Sequence, residues 1–149
     1  MPSVKDLMKK DVVTIDLHKT LLHAAMLMSE KKIGCLVIME DDVPSGIVTE
    51  RDFIRRALAK KLPLDVKISE IVSKPLITID PKSSLKDAAR LMLKNKIRRL
   101  PVVTEEKLVG IITVSDFAQH LSKKTITEQI LDALTRYPPY LEESGWVSP

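Results

Sequence analysis

The chain is poor in the residues that carry covalent, redox and metal chemistry. It has one cysteine, Cys35, so no internal disulfide can form. Cys35 lies in the apolar run 35–39, which is typical of a buried, unreactive thiol. The three histidines show no metal-ligand spacing, and no nucleophile–base pair can be assembled around them. We therefore predict no catalytic residue, no metal site and no enzymatic activity.

Long apolar segments are also missing. The strongest runs, residues 35–39 and 100–103, fall far short of the roughly 18 consecutive apolar residues that a membrane-spanning helix needs. The start of the chain lacks the apolar stretch of a secretory signal. We therefore expect a cytoplasmic protein without a membrane partner.

Aromatic residues make up only 3% of the chain, whereas basic residues are in excess. The net charge of +4 and the pI near 9.2 would suit a nucleic-acid partner. The basic residues come as scattered pairs, however, and the chain has too few aromatic rings for a base-stacking platform. With 30% charged residues, one asparagine and two glutamines, the composition resembles that of thermophilic proteins. Nucleic acid is therefore not the favoured partner.

What the chain does contain is an internal duplication. Residues 6–53 align without a gap on residues 70–117, at a constant separation of 64 positions. A repeat of this size is one supersecondary unit, too small to bury its apolar face alone, so the two copies are expected to pack on each other. We predict one pseudo-symmetric body in which two units of about 60 residues share a single core.

Each copy predicts the order strand, helix, strand, strand, helix. Thr20 and Ser84 are placed to cap the first helix of each copy, which then carries an apolar stripe at helical spacing. β-Branched runs separated by polar turns predict a pair of strands before the second helix. The pattern indicates an α/β (α+β) fold with helices against a small mixed sheet. The predicted strands are residues 12–15, 35–39 and 46–48, then 100–103 and 108–112.

We divide the chain into repeat 1 (residues 1–62), repeat 2 (residues 63–122) and a C-terminal tail (residues 123–149). Pro63 ends the last helix of repeat 1. In the tail, residues 125–128 predict a capping box that opens a short helix, followed by aromatic and proline residues. The sequence of the tail does not indicate its role.

The most informative motifs follow the last strand of each copy. Each has a glycine, two apolar residues, a threonine at a helix start and an aspartate three residues later, from Gly46 to Asp52 and from Gly110 to Asp116. Threonine and aspartate would cap the helix and complement its dipole, worth roughly 1 kcal/mol without a ligand. The same groups would suit a nucleotide, because free amides at a helix start bind phosphate and a carboxylate accepts ribose hydroxyls. The residues alone leave both interpretations open.

With these motifs duplicated over residues 4–121, the chain resembles a tandem pair of CBS domains, also called a Bateman module. The resemblance implies two β-α-β-β-α repeats packed with pseudo-two-fold symmetry, followed here by the short helical tail. It implies a regulatory, energy-sensing type of module that binds AMP, ADP, ATP or S-adenosylmethionine between the repeats, as a regulatory ligand and not as a catalytic cofactor. It also implies a homodimer that controls a separate, unidentified protein.

The resemblance further implies composite clefts, in which the threonine and aspartate of one repeat face strands of the other. Apolar side chains would sandwich adenine, and strand backbone groups would bind its edge. In this sequence the first cleft would combine Ile47, Thr49, Asp52, Leu76, Ile77, Arg98, Arg99 and Pro101. The second cleft would combine Val13, Ile33, Gly34, Cys35, Ile111, Thr113 and Asp116.

The two copies are not equivalent in these clefts. Where the second repeat has Arg98 and Arg99, the first has Gly34 and Cys35. Arginine holds phosphate by two parallel hydrogen bonds, which glycine and cysteine cannot form. We therefore hypothesise that the Asp52 cleft prefers phosphorylated ligands. The alternative is a pair of arginines that lie along a strand edge without a ligand.

A ligand-independent dimerisation or interaction module would explain the apolar helices equally well. The two function classes differ in one observable. A ligand present at 100 times its dissociation constant stabilises the folded chain by roughly 2.7 kcal/mol, whereas an interaction module shows no such effect.

Overall fold

The structure is a computed structural model that describes residues 2–122 and residue 135. Its first half contains α1 (Val4–Leu7), β1 (Thr14–Asp16), α2 (Leu21–Lys31), β2 (Cys35–Glu40), β3 (Val43–Thr49) and α3 (Glu50–Asp52), which continues as a π-helical segment, Phe53–Leu58. Its second half contains a 3₁₀ turn (Ile68–Glu70), α4 (Leu85–Asn95), β4 (Arg99–Thr104), β5 (Lys107–Thr113) and α5 (Val114–Ser122).

The predicted order of elements is confirmed in the first repeat. In the second repeat the first strand is reduced to a single parallel bridge between Ile79 and Val102, and the remaining elements follow the predicted order. The α/β (α+β) class is therefore confirmed. The predicted tail helix, opened by residues 125–128, lies outside the described residues.

Local sequence explains why α2 and α4 have the same length. The hydroxyls of Thr20 and Ser84 accept the backbone amide three residues further on, at 3.1 and 3.0 Å, as predicted from the sequence. At the other end, Lys32 and Lys96 adopt the left-handed conformation, both with φ of 55°, and terminate the helices. The two helices therefore begin and end at equivalent positions.

The sheets are built on matching hairpins. β1 runs parallel to β2, β2 is antiparallel to β3, and β4 is antiparallel to β5. Two-residue turns, Asp41–Asp42 and Glu105–Glu106, connect the hairpin strands, and all four residues have φ between 50° and 63°. Positive φ at both turn positions gives a turn whose twist matches that of the strands. Each hairpin therefore places its threonine–aspartate motif at the equivalent position of its own repeat.

Buried apolar side chains form two clusters, and the prediction of a single shared core is wrong. The first cluster includes Leu36 together with Ile68 and Ile71, which lie beyond the last helix of the first repeat. The second includes Leu100 together with Val4, which lies ahead of the first strand of the first repeat. All five side chains are 0% exposed. The segments that lead into the two repeats, residues 4–9 and 68–73, are here called the leading segments. Each repeat therefore completes its own core with the leading segment of the other repeat.

These leading segments also pair with the strands of the opposite repeat. Lys9, ahead of the first strand of the first repeat, forms an antiparallel bridge with β5, and Ser73, at the equivalent place in the second repeat, forms one with β3. Glycine permits the close approach: a Cβ at Gly46 would lie 3.1 Å from the Ser73 carbonyl oxygen, and one at Gly110 would lie 2.9 Å from that of Lys9. The exchange brings both segments to the ends of the strands that carry the threonine–aspartate motifs.

Candidate functional site

The two threonine–aspartate pairs lie where the last strand of each repeat turns into a helix. The amides of Thr49 and Thr113 donate to Oδ2 of Asp52 and Asp116, at 2.9 and 2.8 Å. The threonine hydroxyls lie 3.2 and 3.1 Å from the same oxygens. Both aspartates are buried, at 8% and 5% exposure. The geometry is that of a helix cap, but it occupies only Oδ2 and leaves Oδ1 for other donors.

A cleft of about 590 Å³, here called the Asp52 cleft, opens beside the first of these pairs. Its walls come from both repeats, including the segment 73–77 that precedes α4 in the second repeat. The volume lies within the range of small-molecule sites. All of the residues predicted for the first cleft line it: Ile47, Thr49, Asp52, Leu76, Ile77, Arg98, Arg99 and Pro101.

One wall of the Asp52 cleft is apolar. Ile47, Leu76 and Ile77 are half-buried, and Pro101 is fully buried. Apolar side chains that converge on a cleft can hold a flat ring between them. The wall can therefore take the base of a nucleotide.

The rest of the cleft carries an excess of positive charge. Six basic side chains line it against two acidic ones. This excess of four equals the net charge of the whole chain, +4, so the remainder of the protein is neutral overall. A cleft with one sign of charge concentrates ligands of the opposite sign. The basic residues are Arg51, Arg55, Arg56, Lys96, Arg98 and Arg99.

Four of these basic residues were missed by the sequence analysis, although the repeat contains a signal for three of them. Arginine in the first repeat is aligned with a less basic residue in the second, 64 positions away. Such a mismatch at a helix surface marks a side chain that the shared fold does not require. Arg51, Arg55 and Arg56 correspond to Ser115, Gln119 and His120.

Two donors approach the second carboxylate oxygen of Asp52. The Ser73 hydroxyl donates to Oδ1 at 3.4 Å, and Arg56 Nε lies 3.7 Å from it. The other end of the Arg56 guanidinium donates from Nη1 to the carbonyls of Ile71 and Val72, at 3.4 Å each. The leading segment of the second repeat is thus tied to the helix that bears the aspartate.

Gly34, which the resemblance implied for the second cleft, lines the wall of the Asp52 cleft. Its carbonyl accepts the Glu50 amide at 3.1 Å, so the loop after α2 folds against the start of α3 in its own repeat. A Cβ at Gly34 would lie 3.3 Å from Arg99 Nη2. Ile33 packs on the first core and lines a separate apolar groove of about 590 Å³ between α2 and the π-helical segment.

Val13 directly precedes the edge strand β1, and Cys35 is the first residue of the central strand β2. The half-buried Val13 accepts the Val37 amide through its carbonyl at 3.3 Å. Cys35 opens β2, and burial raises the pKa of its thiol, while the positive charge of Arg99 acts in the opposite direction.

The remaining predicted residues surround the second carboxylate. Ile111 is 8% exposed, and its backbone pairs with Lys9 through two hydrogen bonds of 2.9 Å. Lys9 Nζ lies 3.8 Å from Oδ1 of Asp116, the carboxylate that is capped by Thr113. The second pair is therefore accompanied by a lysine where the first has a serine.

Two kinds of feature are absent from the part of the chain that the structure describes. Within residues 2–122 and residue 135, no group of three histidine, cysteine, aspartate or glutamate side chains is arranged to hold a metal ion. The described helices also include none with the length and apolar character needed to cross a bilayer.

The comparisons with known proteins all indicate the same family. The model of the CBS domain matches residues 4–59 and 68–123. The CBS domain-containing protein YhcV of Bacillus subtilis (strain 168) is 38% identical over 118 residues, which cover 79% of this chain and 84% of the relative. The solved structure of Hypoxic Response Protein I, with two coordinated zinc ions, has a TM-score of 0.73 and 34% identity, over 81% of this chain and 100% of that one.

A second solved structure contains bound ligands. The CBS domain pair of the protein MJ0100, in complex with 5′-methylthioadenosine and S-adenosyl-L-methionine, has a TM-score of 0.76 and 28% identity, and covers 84% of this chain and 99% of that one. The duplicated fold, the paired threonine–aspartate motifs and these matches agree. The chain belongs to the CBS domain family and contains two CBS domains.

Proposed function

We propose that the chain is a regulatory ligand sensor that binds an adenine nucleotide in the Asp52 cleft and controls a separate protein through the bound state. The observation that carries the proposal is the meeting, in one cleft, of a buried carboxylate, an apolar wall and six basic side chains. The bound ligands of the MJ0100 domain pair support it, because both contain adenosine.

The three parts of the cleft match the three parts of a nucleotide. Adenine would lie against Ile47, Leu76 and Ile77, and the ribose hydroxyls would donate to Oδ1 of Asp52. The phosphate would then reach the arginines, of which Arg98 and Arg99 enter from the second repeat. A ligand bound in this way contacts both repeats.

The charge of the cleft orders the candidate ligands. Methylthioadenosine carries no phosphate, and the sulfonium of S-adenosylmethionine is positive, so six basic residues favour neither. We propose AMP, ADP and ATP as the ligand class, with affinity rising with the number of phosphates. Because the arginines are partly solvent-exposed, raising the salt concentration would reduce the differences between these nucleotides.

We further propose that the chain forms a homodimer through the helix surface behind the cleft. The π-helical segment has Arg55 and Arg56 in the cleft wall, while Ile54 and Leu58 are 59% and 69% exposed. Leu64, which lines the same apolar groove as Ile54 and Leu58, is 57% exposed and extends this apolar surface. Large exposed apolar side chains that lie together are typical of an interface. Ligand binding at Arg55 and Arg56 and dimer contact at Leu58 would then act on the same helical segment.

The same exposed side chains support a second candidate, a ligand-independent interaction module. Leu93 on α4 is 79% exposed, so apolar exposure is not confined to the surroundings of the Asp52 cleft. This candidate predicts self-association or partner binding in the absence of any nucleotide. Light scattering distinguishes a dimer from the 16.8 kDa monomer, and repeating the measurement with nucleotide shows whether assembly depends on ligand.

A thermal-shift panel tests the sensor directly. We expect AMP, ADP and ATP to stabilise the wild type, by roughly 2.7 kcal/mol at 100 times the dissociation constant, and S-adenosylmethionine and NADH to stabilise it less. Asp52→Ala, and Arg98→Ala combined with Arg99→Ala, should lose the effect. Arg90→Ala removes an exposed arginine of α4 that does not line the cleft, and should keep it. Absence of any shift in the wild type would favour the interaction module.

A further inference from the structure

Lys9 and Ser73 occupy the same structural position in the two leading segments. They are 64 residues apart, the repeat distance, and each forms an antiparallel bridge with the last strand of the opposite repeat. The bridge partners, Ile111 and Ile47, are themselves 64 residues apart. Each side chain therefore lies close to the aspartate that follows the strand with which its residue pairs, Ser73 to Asp52 and Lys9 to Asp116.

The two side chains offer different chemistry to these aspartates. The neutral hydroxyl of Ser73 lies 3.4 Å from Oδ1 of Asp52, whereas the ammonium of Lys9 lies 3.8 Å from Oδ1 of Asp116. In both aspartates Oδ2 already accepts from threonine, so Oδ1 is the oxygen left for a ribose hydroxyl. An ammonium donates up to three hydrogen bonds and carries a full charge, so it can take the place of that hydroxyl.

The backbone keeps Lys9 in place. Its amide and its carbonyl each form a hydrogen bond of 2.9 Å with Ile111. The carboxylate that faces it has a side chain only 4% exposed, so Asp116 needs a nearby donor for Oδ1. The Lys9 side chain, at 62% exposure, reaches it from the solvent side and has no other partner among the described residues.

Arg56 does not play the same part at the first aspartate. Its Nε lies 3.7 Å from Oδ1 of Asp52, but its Nη1 donates to two backbone carbonyls of the leading segment, at 3.4 Å each. The guanidinium is thus held against the segment that carries Ser73. At the equivalent position the second repeat has His120, which is not paired with Asp116 in any ion pair of the described residues.

We infer that Lys9 closes the second cleft to nucleotides. It supplies, from within the chain, the donor that a ribose would bring to Asp116, so each chain binds one nucleotide, beside Asp52. The residue at this position of the leading segment thereby decides which of the two threonine–aspartate pairs is open to ligand. The inference rests on the proposed function, because it assumes that nucleotide binds at Asp52.

Exchanging the two residues tests the inference. Calorimetric titration of the full chain with AMP should give one AMP per chain, unchanged in Asp116→Ala and lost in Asp52→Ala. Ser73→Lys gives the first cleft the residue of the second and should weaken AMP binding at least about tenfold, since one hydrogen bond to a charged group is worth about that factor. Lys9→Ser should add a second, weaker AMP site, which Asp116→Ala then removes.

A matched variant separates the effect of the lysine charge on AMP binding from the effects of side-chain size and of misfolding. Ser73→Met has nearly the length of lysine without its charge, and should weaken AMP binding less than Ser73→Lys does. Circular dichroism melting of each variant checks that the chain is folded. Loss of AMP binding that is equal in the methionine and lysine variants would contradict the role of charge.

Other results would overturn the inference while leaving the sensor intact. Two AMP molecules bound per wild-type chain, with one lost in Asp116→Ala, would show that Lys9 does not close the second cleft. A Lys9→Ser chain that still binds one AMP would do the same. If the wild type and all variants bind no AMP, the proposed function itself is wrong and the inference falls with it.

Discussion

The backbone amide of Thr49 donates to Oδ2 of Asp52 at 2.9 Å, and the amide of Asp52 donates back to the threonine hydroxyl at 3.4 Å. This reciprocal arrangement caps α3. It uses one carboxylate oxygen and turns the other towards the cleft wall, where Ser73 donates to it. Capping and ligand binding therefore do not compete for the same atom.

Replacing the carboxylate by an amide should separate the two roles. In Asp52→Asn the side-chain oxygen still accepts from the Thr49 amide, so we expect the free energy of unfolding to change by less than about 1 kcal/mol. The ribose hydroxyls lose a charged acceptor, which should weaken AMP binding about tenfold. Asp116→Asn is the matched control and should leave AMP binding unchanged. Urea unfolding and calorimetric titration measure the two effects, and equal AMP affinity in Asp52→Asn and wild type would contradict the ribose role.

Adding a methyl group at the two close-approach glycines should destabilise both repeats but affect only one site. In Gly46→Ala the new Cβ would lie 2.5 Å from Val72 Cγ2, and in Gly110→Ala it would lie 2.6 Å from Met8 Sδ. Each contact forces the leading segment away, at a cost of about 1–3 kcal/mol. Gly46→Ala also displaces Ser73 from Asp52 and should weaken AMP binding. Gly110→Ala should not, and a loss of AMP binding there would show that the two sites are coupled.

Because the leading segments are exchanged, we expect substitutions in them to lower the free energy of unfolding strongly, although these residues lie outside the sequence of the repeat whose core they fill. Ile68 is 0% exposed in the first cluster, so Ile68→Ala should lower the free energy of unfolding by about 2–5 kcal/mol. Val4 occupies the equivalent position in the second cluster, and Val4→Ala should cost less because fewer atoms are removed. Leu64→Ala, at a position 57% exposed, should change stability by no more than about 0.5 kcal/mol. Chemical denaturation of the three variants checks this order.

The thiol of Cys35 should react slowly in the folded chain. Burial raises its pKa, so at pH 8 the thiolate fraction is smaller than in a free cysteine, although Arg99 partly opposes the shift. By linkage, this group stabilises the fold at neutral pH, and that contribution declines once the pH rises above the pKa of the unfolded thiol. Reaction with a thiol reagent should accelerate on unfolding and slow further with bound AMP, whose phosphate would offset Arg99. A folded chain that reacts like free cysteine would refute this description.

Most of the fold could be predicted because the repeat reports each element twice. Thr20 and Ser84 cap their helices as expected, since capping depends on neighbours three residues away. The exchange of leading segments could not be predicted in the same way. Lys9 and Ser73 pair through isolated bridges, and a single bridge has no periodic pattern that marks its partner in the sequence.

The site residues that belong to the repeated motif could be predicted from their positions in the sequence. The basic residues whose place in the cleft depends on the direction of their side chains could not. Residues such as Asp52 and Pro101 follow from the motif and the family resemblance, and they line one cleft in the structure. Arg55 lines the wall from the π-helical segment that follows Asp52, and short-range propensities do not specify such a segment. Gly34, expected in the second cleft, lines the Asp52 cleft, where a hydrogen bond from the Glu50 amide holds its loop on its own repeat.

The exchange of leading segments has a consequence for the smallest unit that can exist alone. A polypeptide holding residues 2–62 would contain Val4 but lack Ile68, the side chain that fills its own core. Because these two positions are equivalent, the leading segment of a second such polypeptide can supply what the first lacks, and the reverse. We expect a half-length chain to assemble as an interlocked pair, of which the natural chain is the version with both halves covalently joined.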